Sequence, residues 1–246
     1  MSFPDRRLHR PLIAAALAVA ALVPLSQAQA GVVVSVSGPS AKLYPVGKKL
    51  ADTDKVVLKS GDTVTVLDQR GTRVLKGAGT FSLADKPAAD RSSTFALLTR
   101  QRSAQRVRTG AVRGDDAGPV TRPNLWYVDV RQAGPMCIAN PAEVRLWRPA
   151  TTGEALYVIG ADGARASSKA AFSDGEMLTV WDLSQAPVTD GARYVVAGQD
   201  GAPHEITFRL LDSVPAAPED LALKLIEKGC TAQLDVLSAA MNTADG

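Results

Sequence analysis

The sequence predicts a mainly β fold that ends in helices, and three patterns support this prediction. Short segments in which apolar and polar residues alternate recur across 31–85 and 125–212, as in half-buried strands. Gly and Asp-Gly turns separate these segments, whereas residues 217–242 change to a helical period. We therefore expect a small N-terminal β barrel or sandwich unit, a linker, an antiparallel β-sandwich and a short C-terminal helical hairpin.

The first thirty residues have the layout of a secretory signal peptide. Three arginines within residues 6–10 form a basic start, residues 12–25 are almost continuously apolar, and Ala28-Gln29-Ala30 is a small-x-small cleavage site. The apolar run is shorter than the roughly 20 residues that a membrane-spanning helix needs. We therefore assign residues 1–30 to the signal and expect a mature periplasmic chain that starts at Gly31.

The charge balance of the mature chain argues against nucleic acid as a partner. Three of the 28 basic residues and one of the 25 acidic residues lie in the predicted signal, so the mature chain is nearly neutral. Domains that bind nucleic acid are usually strongly basic. No second long apolar run follows the signal, so we expect no membrane span in the mature protein.

Residues 31–85 are predicted to form the small β domain. Val and Thr alternate over 63–67, the pattern of a strand with one buried face. Asp68-Gln69-Arg70-Gly71 predicts a hairpin turn into the next strand, and Gly77-Ala78-Gly79 predicts a further turn or bulge.

Residues 86–124 are predicted to form a basic linker with a short helix at its start. Ser92 or Ser93 is suited to cap a helix that carries three large apolar side chains. A cluster of arginines follows: Arg100, Arg102, Arg106 and Arg108. This patch could contact anionic headgroups or an acidic partner, or it could simply keep a connector soluble.

Residues 125–212 are predicted to form the antiparallel β-sandwich. Six or so short strands are separated by turn signals, among them four Asp-Gly pairs. Residues 213–246 are assigned to a helical tail. Pro218 suits a first helical position, Gly229 suits a helix stop, and Thr231 could cap a second helix.

The two cysteines, Cys137 and Cys230, are predicted to form a disulfide. An even cysteine count in an exported chain favours pairing. A bridge across so long a loop stabilises a fold by roughly 4–5 kcal/mol in the chain-entropy treatment. It would also fix the helical tail to the second β domain.

The sequence offers little for catalysis and nothing for a cofactor. His204 is the one histidine after the predicted cleavage, and no Gly-x-Ser-x-Gly motif accompanies it. Zinc-site spacing and phosphate-binding glycine loops are both absent from the sequence. We therefore expect no cofactor, no metal and no enzymatic activity.

Acidic residues and tryptophans of the second β domain support an alternative. Glycoside hydrolysis needs two carboxyl groups at a set separation, and four acids are candidates: Glu143, Asp174, Glu176 and Asp182. Trp147 and Trp181 could stack on a sugar or contact a partner, or they could pack in the core.

Two stretches resemble known exported bacterial proteins. Residues 58–67, followed by Gly71-Thr72-Arg73-Val74-Leu75 and Gly77-Ala78-Gly79-Thr80-Phe81, resemble the β-repeats of FecR-like periplasmic domains. The end of the chain around Gly229–Leu234 is similar to the ends of uncharacterised exported proteins. The FecR resemblance implies an envelope location and signalling through protein contacts, and it brings no catalytic residues.

The leading hypothesis is a non-enzymatic periplasmic binding or scaffold protein that contacts another cell-envelope protein. An exposed apolar patch on 221–241 would support docking through the tail. The alternative is a secreted carbohydrate-binding module or hydrolase that uses the acids and Trp147 or Trp181. A sensor of envelope stress or of a metabolite, built on the first β unit, ranks third.

Overall fold

A computed structural model describes residues 29–84, 91–100, 122–161, 167–198 and 201–242. Most of the predicted signal peptide lies outside these ranges, as do Arg102, Arg106 and Arg108. The first strand begins at Gln29, two residues before the predicted start of the mature chain.

The first β region contains six short strands in two sheets. The strands are β1 (Gln29–Ser37), β2 (Lys49–Ala51), β3 (Lys55–Leu58), β4 (Thr63–Asp68), β5 (Gly71–Lys76) and β6 (Gly79–Ser82). The antiparallel order β2-β1-β4-β5 forms one sheet, and β3 pairs with β6 in the other. The hairpin predicted at 68–71 joins β4 to β5, with Asp68 opposite Gly71.

Strand β1 is buried on both of its faces. Val33 packs with Val64 and Val66 inside the first β region. Val32 and Val34 face the other way and pack against helical side chains. Such double burial explains the unbroken Val32-Val33-Val34 run, because a strand covered on both faces needs no polar face.

The second β region is a sandwich of a five-stranded and a three-stranded sheet. Its strands are β7 (Val128–Asp129), β8 (Gly134–Ile138), β9 (Arg145–Trp147), β10 (Ala155–Ala161), β11 (Ser167–Phe172), β12 (Leu178–Val180), β13 (Arg193–Ala197) and β14 (His204–Leu210). The sheet orders are β11-β10-β13-β14-β8 and β12-β9-β7. Most pairs are antiparallel, but β14 with β8 and β7 with β9 are parallel, which the sequence analysis did not anticipate.

Three short helices complete the described fold: α1 (Ser92–Thr99), α2 (Pro218–Glu227) and α3 (Thr231–Ala240). Pro218 is the first residue of α2, as predicted, and Gly229 has a φ of 73°, which ends the helix in the left-handed region. Helix α1 begins at Ser92 itself, and Arg91 is its cap residue without a side-chain capping bond.

The helices share one core with both β regions. Phe95 and Leu98 of α1, Leu221 and Leu225 of α2 and Leu237 of α3 are buried in a cluster that also holds Val32 and Leu67. The tail therefore buries its apolar stripe within its own chain, and this stripe is not available as an exposed docking patch.

Cys137 and Cys230 form the predicted disulfide, with an S–S distance of 2.04 Å across 93 positions of sequence. The bridge joins the residue before α3 to strand β8. Gln233, one turn further along α3, adds three hydrogen bonds to the same place. Its Oε1 accepts from the Cys137 N–H (2.6 Å), and its Nε2 donates to the carbonyls of Cys137 (2.8 Å) and Leu125 (2.9 Å).

The mainly β fold class with a C-terminal helix pair is confirmed, and neither β region closes into a barrel over the residues described. In that same part of the chain, no helix has the length and apolar character that crossing a membrane requires.

Candidate functional site

A cleft of about 740 Å³ lies between α3 and the segment that follows β7. Its volume is in the range of ordinary small-molecule sites. Residues from both sides line it: Asp129, Arg131, Gln132 and Ala133 on the β7 side, Asp235, Val236, Ala239 and Ala240 on α3, together with Arg122 and Trp147. The disulfide and Gln233 hold α3 in place, so they also fix this wall of the cleft.

Arg122 is the unusual member of this lining. Only 4% of the residue is exposed, although it carries a guanidinium group. Its Nη1 donates to the carbonyl of Tyr127 (2.9 Å) and to Oε1 of Gln132 (3.2 Å). Its Nε and Nη2 are also buried, but they have no hydrogen-bond partner among the residues that the structure describes. A buried donor left unsatisfied costs about 1–3 kcal/mol, and more when it is charged.

Burial also affects the charge of Arg122. Removal from water lowers its pKa to about 10, while nearby Asp129 opposes this shift and Arg131 adds to it. Arg122 therefore still carries its positive charge near neutral pH.

Asp129 does not neutralise Arg122, because Arg131 occupies its carboxylate. Nε and Nη2 of Arg131 donate to Oδ1 (3.0 Å) and Oδ2 (2.8 Å) of Asp129, a bidentate pair. The Arg131 backbone N–H also donates to Oδ1. Both carboxylate oxygens of Asp129 thus accept hydrogen bonds from Arg131, and Arg122 is left without a carboxylate partner in the described chain.

Trp147 lies below this pair. It faces away from the sandwich core, since its neighbour Leu146 occupies that core. The guanidinium of Arg131 lies over the indole, 5.6 Å from the ring centroid. Trp147 is only 1% exposed, and its Nε1 is a second buried donor that lacks a partner within the described chain.

The cleft therefore combines charged side chains with an apolar wall. Arg131 and Asp235 contribute charged groups, whereas Val236, Ala239 and Ala240 contribute small apolar side chains. Such a combination suits a ligand that has both polar and apolar groups.

Trp181 lies elsewhere, in the core of the sandwich. It is 1% exposed, its Nε1 donates to the Ala186 carbonyl (2.7 Å), and its ring meets those of Tyr194 and Phe208 edge-on. A covered and satisfied indole offers no face to a ligand, so its contact with a ligand or partner is not supported.

Arg100, the one described member of the predicted arginine patch, ends α1. Its carbonyl accepts from Nδ2 of Asn124 (2.8 Å), and the indole Nε1 of Trp126 donates to the adjacent Thr99 carbonyl (2.8 Å). The described ends of the predicted linker are therefore joined to each other and are part of the packed fold.

The four candidate acids are exposed and do not line the cleft. The Asp182 carboxylate accepts from the Ser184 hydroxyl (2.6 Å) and backbone, and these bonds lower the pKa of Asp182. A general acid needs a raised pKa. Asp174 accepts from the Gly153 N–H and supports a turn.

His204 is the first residue of β14, opposite Val196, and is not at the cleft. Within the described ranges, no group of three or more His, Cys, Asp and Glu side chains is placed to hold a metal ion.

The sequence analysis missed Arg122, which has no motif around it. The sequence contains only a partial indication of its role. Arg122 ends the basic stretch and directly precedes Pro123, where the chain returns to β structure. Its burial depends on Tyr127, Gln132 and Met136, which the sequence does not place next to it.

Comparison of this chain with protein-family models, with curated proteins and with solved structures finds no match.

Proposed function

We propose that this protein is a non-enzymatic binding or scaffold protein of the bacterial periplasm, and that it contacts another envelope component through the cleft beside α3. The observation that carries this proposal is the cleft itself, which combines charged and apolar side chains and whose α3 wall is held in place by the Cys137–Cys230 disulfide and Gln233.

The composition of the cleft favours binding over catalysis. None of the described residues that line it is a Ser, Thr, Cys, His or Lys, the side chains that supply most nucleophiles and bases. Of its two acids, Asp129 is committed to Arg131. The remaining polar groups can recognise a ligand without reacting with it.

Three features support an envelope location. The charged, apolar and small segments of residues 1–30 match an export signal. The Cys137–Cys230 disulfide is compatible with an oxidising compartment. The resemblance of the first β region to FecR-like periplasmic domains agrees with both.

The carbohydrate or hydrolase alternative needed an exposed tryptophan beside two carboxylates. Trp147 and Trp181 are each 1% exposed, and the candidate acids do not line the cleft. No other observation favours the carbohydrate or hydrolase hypothesis, so we do not retain it.

Site-specific photo-crosslinking in the native envelope tests the proposal. A photoreactive amino acid at Ala239, an exposed residue of the cleft wall, is expected to capture one discrete envelope component. The same amino acid at Ala171, exposed on β11 of the second β region, is the matched control. Absence of an adduct at Ala239, or an identical pattern at both positions, contradicts the proposal.

A further inference from the structure

We propose that the first β region docks on an anionic lipid bilayer through the loop between β1 and β2 (residues 38–48) and the adjoining strand β3. We call this area the loop surface. It shares no residue with the lining of the cleft, so the inference goes beyond the function proposed for the cleft and does not depend on it.

Three large apolar side chains of the loop surface are exposed to solvent. Leu43 is 60% exposed, Val57 is 55% exposed and Val46 is 44% exposed. A single exposed apolar side chain is ordinary, whereas a group of them marks an interaction surface. Removal of these side chains from water favours docking.

Hydrogen bonds show that the loop and β3 are neighbours. The Tyr44 hydroxyl accepts from the Val57 N–H (2.9 Å) and donates to the Val57 carbonyl (3.3 Å), so the loop lies against β3. The Lys48 Nζ donates to the Leu43 carbonyl (2.8 Å) and lies over the Tyr44 ring, 4.8 Å from its centroid. Leu43, Lys48 and Val57 are therefore parts of one surface.

The loop is held in its conformation by its own backbone. The Leu43 N–H donates to the Ser40 carbonyl (2.9 Å), and the Lys48 N–H donates to the Pro45 carbonyl (3.0 Å). Val46 lies within the second of these turns. A loop that is already ordered loses little conformational entropy when it docks.

Positive charge surrounds the apolar side chains. Five lysines of this stretch are exposed, and none of them forms a salt bridge within the described residues: Lys42, Lys48, Lys49, Lys55 and Lys59. Asp52 is paired with Arg70, and Asp54 accepts from the Ala51 N–H (2.8 Å). The lysines outnumber these acids, so the loop surface attracts anionic headgroups.

The combination of charge and apolar exposure favours a bilayer over a soluble polyanion. A soluble polyanion neutralises the lysines but leaves Leu43 and Val57 in water. At a bilayer, apolar side chains enter the boundary between headgroups and acyl chains, while lysine stems reach the headgroups. An anionic bilayer therefore matches both properties of the loop surface.

Vesicle co-sedimentation of the exported, signal-free protein tests the inference. Vesicles of phosphatidylcholine alone are compared with vesicles of equal parts phosphatidylcholine and phosphatidylglycerol. We expect the protein to bind the anionic vesicles at least about tenfold more tightly, and we expect this preference to weaken as salt is added.

Two variants with matched controls locate the contact. Lys55→Glu reverses a charge on β3 and is expected to weaken binding to anionic vesicles about tenfold, whereas Lys169→Glu, at an exposed lysine of β11, is expected to have no such effect. Leu43→Ser is expected to weaken it about fivefold. Val180→Ser, at a side chain that is 62% exposed on β12, is its control.

Equal binding to neutral and anionic vesicles, or binding to neither, would overturn the inference. Equal effects of a variant and its control would place the contact elsewhere and overturn it as well. Weaker binding by Lys55→Glu together with unchanged binding by Leu43→Ser would indicate a surface for soluble polyanions or acidic proteins, which contradicts docking on a bilayer.

Discussion

Two buried arginines of this protein are equally hidden from solvent and differ in what their guanidinium groups contact. Arg122 and Arg148 are each 4% exposed. In Arg148, Nε donates to the Glu176 carbonyl (2.8 Å), and Nη2 donates to the carbonyls of Gly153 (2.8 Å) and Ser173 (2.9 Å). In Arg122, the same two nitrogens have no partner within the described chain.

The difference separates an arginine whose burial is compensated by hydrogen bonds from one whose burial is not. Arg148 lies over the ring of Phe172, 5.1 Å from its centroid, and ties three loop carbonyls of the sandwich together. A buried charge is tolerated when hydrogen bonds compensate for its desolvation. Arg122 donates hydrogen bonds to oxygen acceptors only through Nη1, so the burial of its Nε and Nη2 is not compensated within the described chain.

Gln233 extends the comparison to a buried neutral side chain whose amide makes three hydrogen bonds. Its replacement has the largest expected effect on stability. Gln233→Leu leaves the Cys137 N–H and two carbonyls without partners at the point where α3 meets β8. We expect a loss of about 3 kcal/mol in the free energy of unfolding, measured by urea denaturation with the disulfide intact. Gln185→Leu, at an exposed glutamine, is the control and is expected to change stability by less than about 0.5 kcal/mol. Equal losses in the two variants would show that the hydrogen bonds of Gln233 do not account for its contribution to stability.

Replacing each arginine by Met tests the comparison itself. Arg148→Met strands three carbonyls and is expected to cost about 2–3 kcal/mol, whereas Arg122→Met removes an undercompensated charge and is expected to cost about 1 kcal/mol or less. The same urea titration measures both. A cost for Arg122→Met that equals or exceeds the cost for Arg148→Met shows that Arg122 is a structural residue.

Replacement of Glu219 has the smallest expected effect on the free energy of unfolding, and this effect depends on pH. Burial raises the pKa of this carboxyl above 4.5, and the neighbouring carboxylates Asp220 and Asp68 add to the increase, against hydrogen bonds from Gln69 and the Glu219 backbone N–H. The folded protein therefore holds this proton more tightly than the unfolded chain does. The stability that it contributes is complete below pH 4.5 and is lost as the pH rises through the raised pKa.

Glu219→Gln removes this loss. The variant is expected to match the wild type in acid and to exceed it by roughly 0.5–1 kcal/mol at neutral pH, the size of one neutral hydrogen bond. Thermal or urea unfolding across the pH range measures the difference. A difference that does not change with pH contradicts the assignment of this titration to Glu219.

The elements that follow local rules were predictable from the sequence. The hairpin at Asp68–Gly71, the helix start at Pro218 and the left-handed Gly229 each depend on residues that are close in the chain. The disulfide was predicted from two cysteines in a chain that we expect to be exported. These features need no knowledge of which segments meet.

The candidate site could not be predicted, because it depends on contacts between distant segments. Trp147 was predicted as a possible contact residue, but its position beneath Arg131 requires β9 to lie beside β7 in parallel. The cleft also requires α3 to be held at Cys137, and Gln233, which holds it there, gives no signal in the sequence. The lack of hydrogen-bond partners for Nε and Nη2 of Arg122 is likewise visible only in the structure.

The most direct measurement of the central claim is the crosslinking comparison in the native envelope between Ala239 on the cleft wall and Ala171 on β11. We expect a discrete adduct at Ala239 and none at Ala171, because the proposed contact is made through the cleft. No adduct at Ala239, or the same adducts at both positions, would show that the cleft is not the contact site.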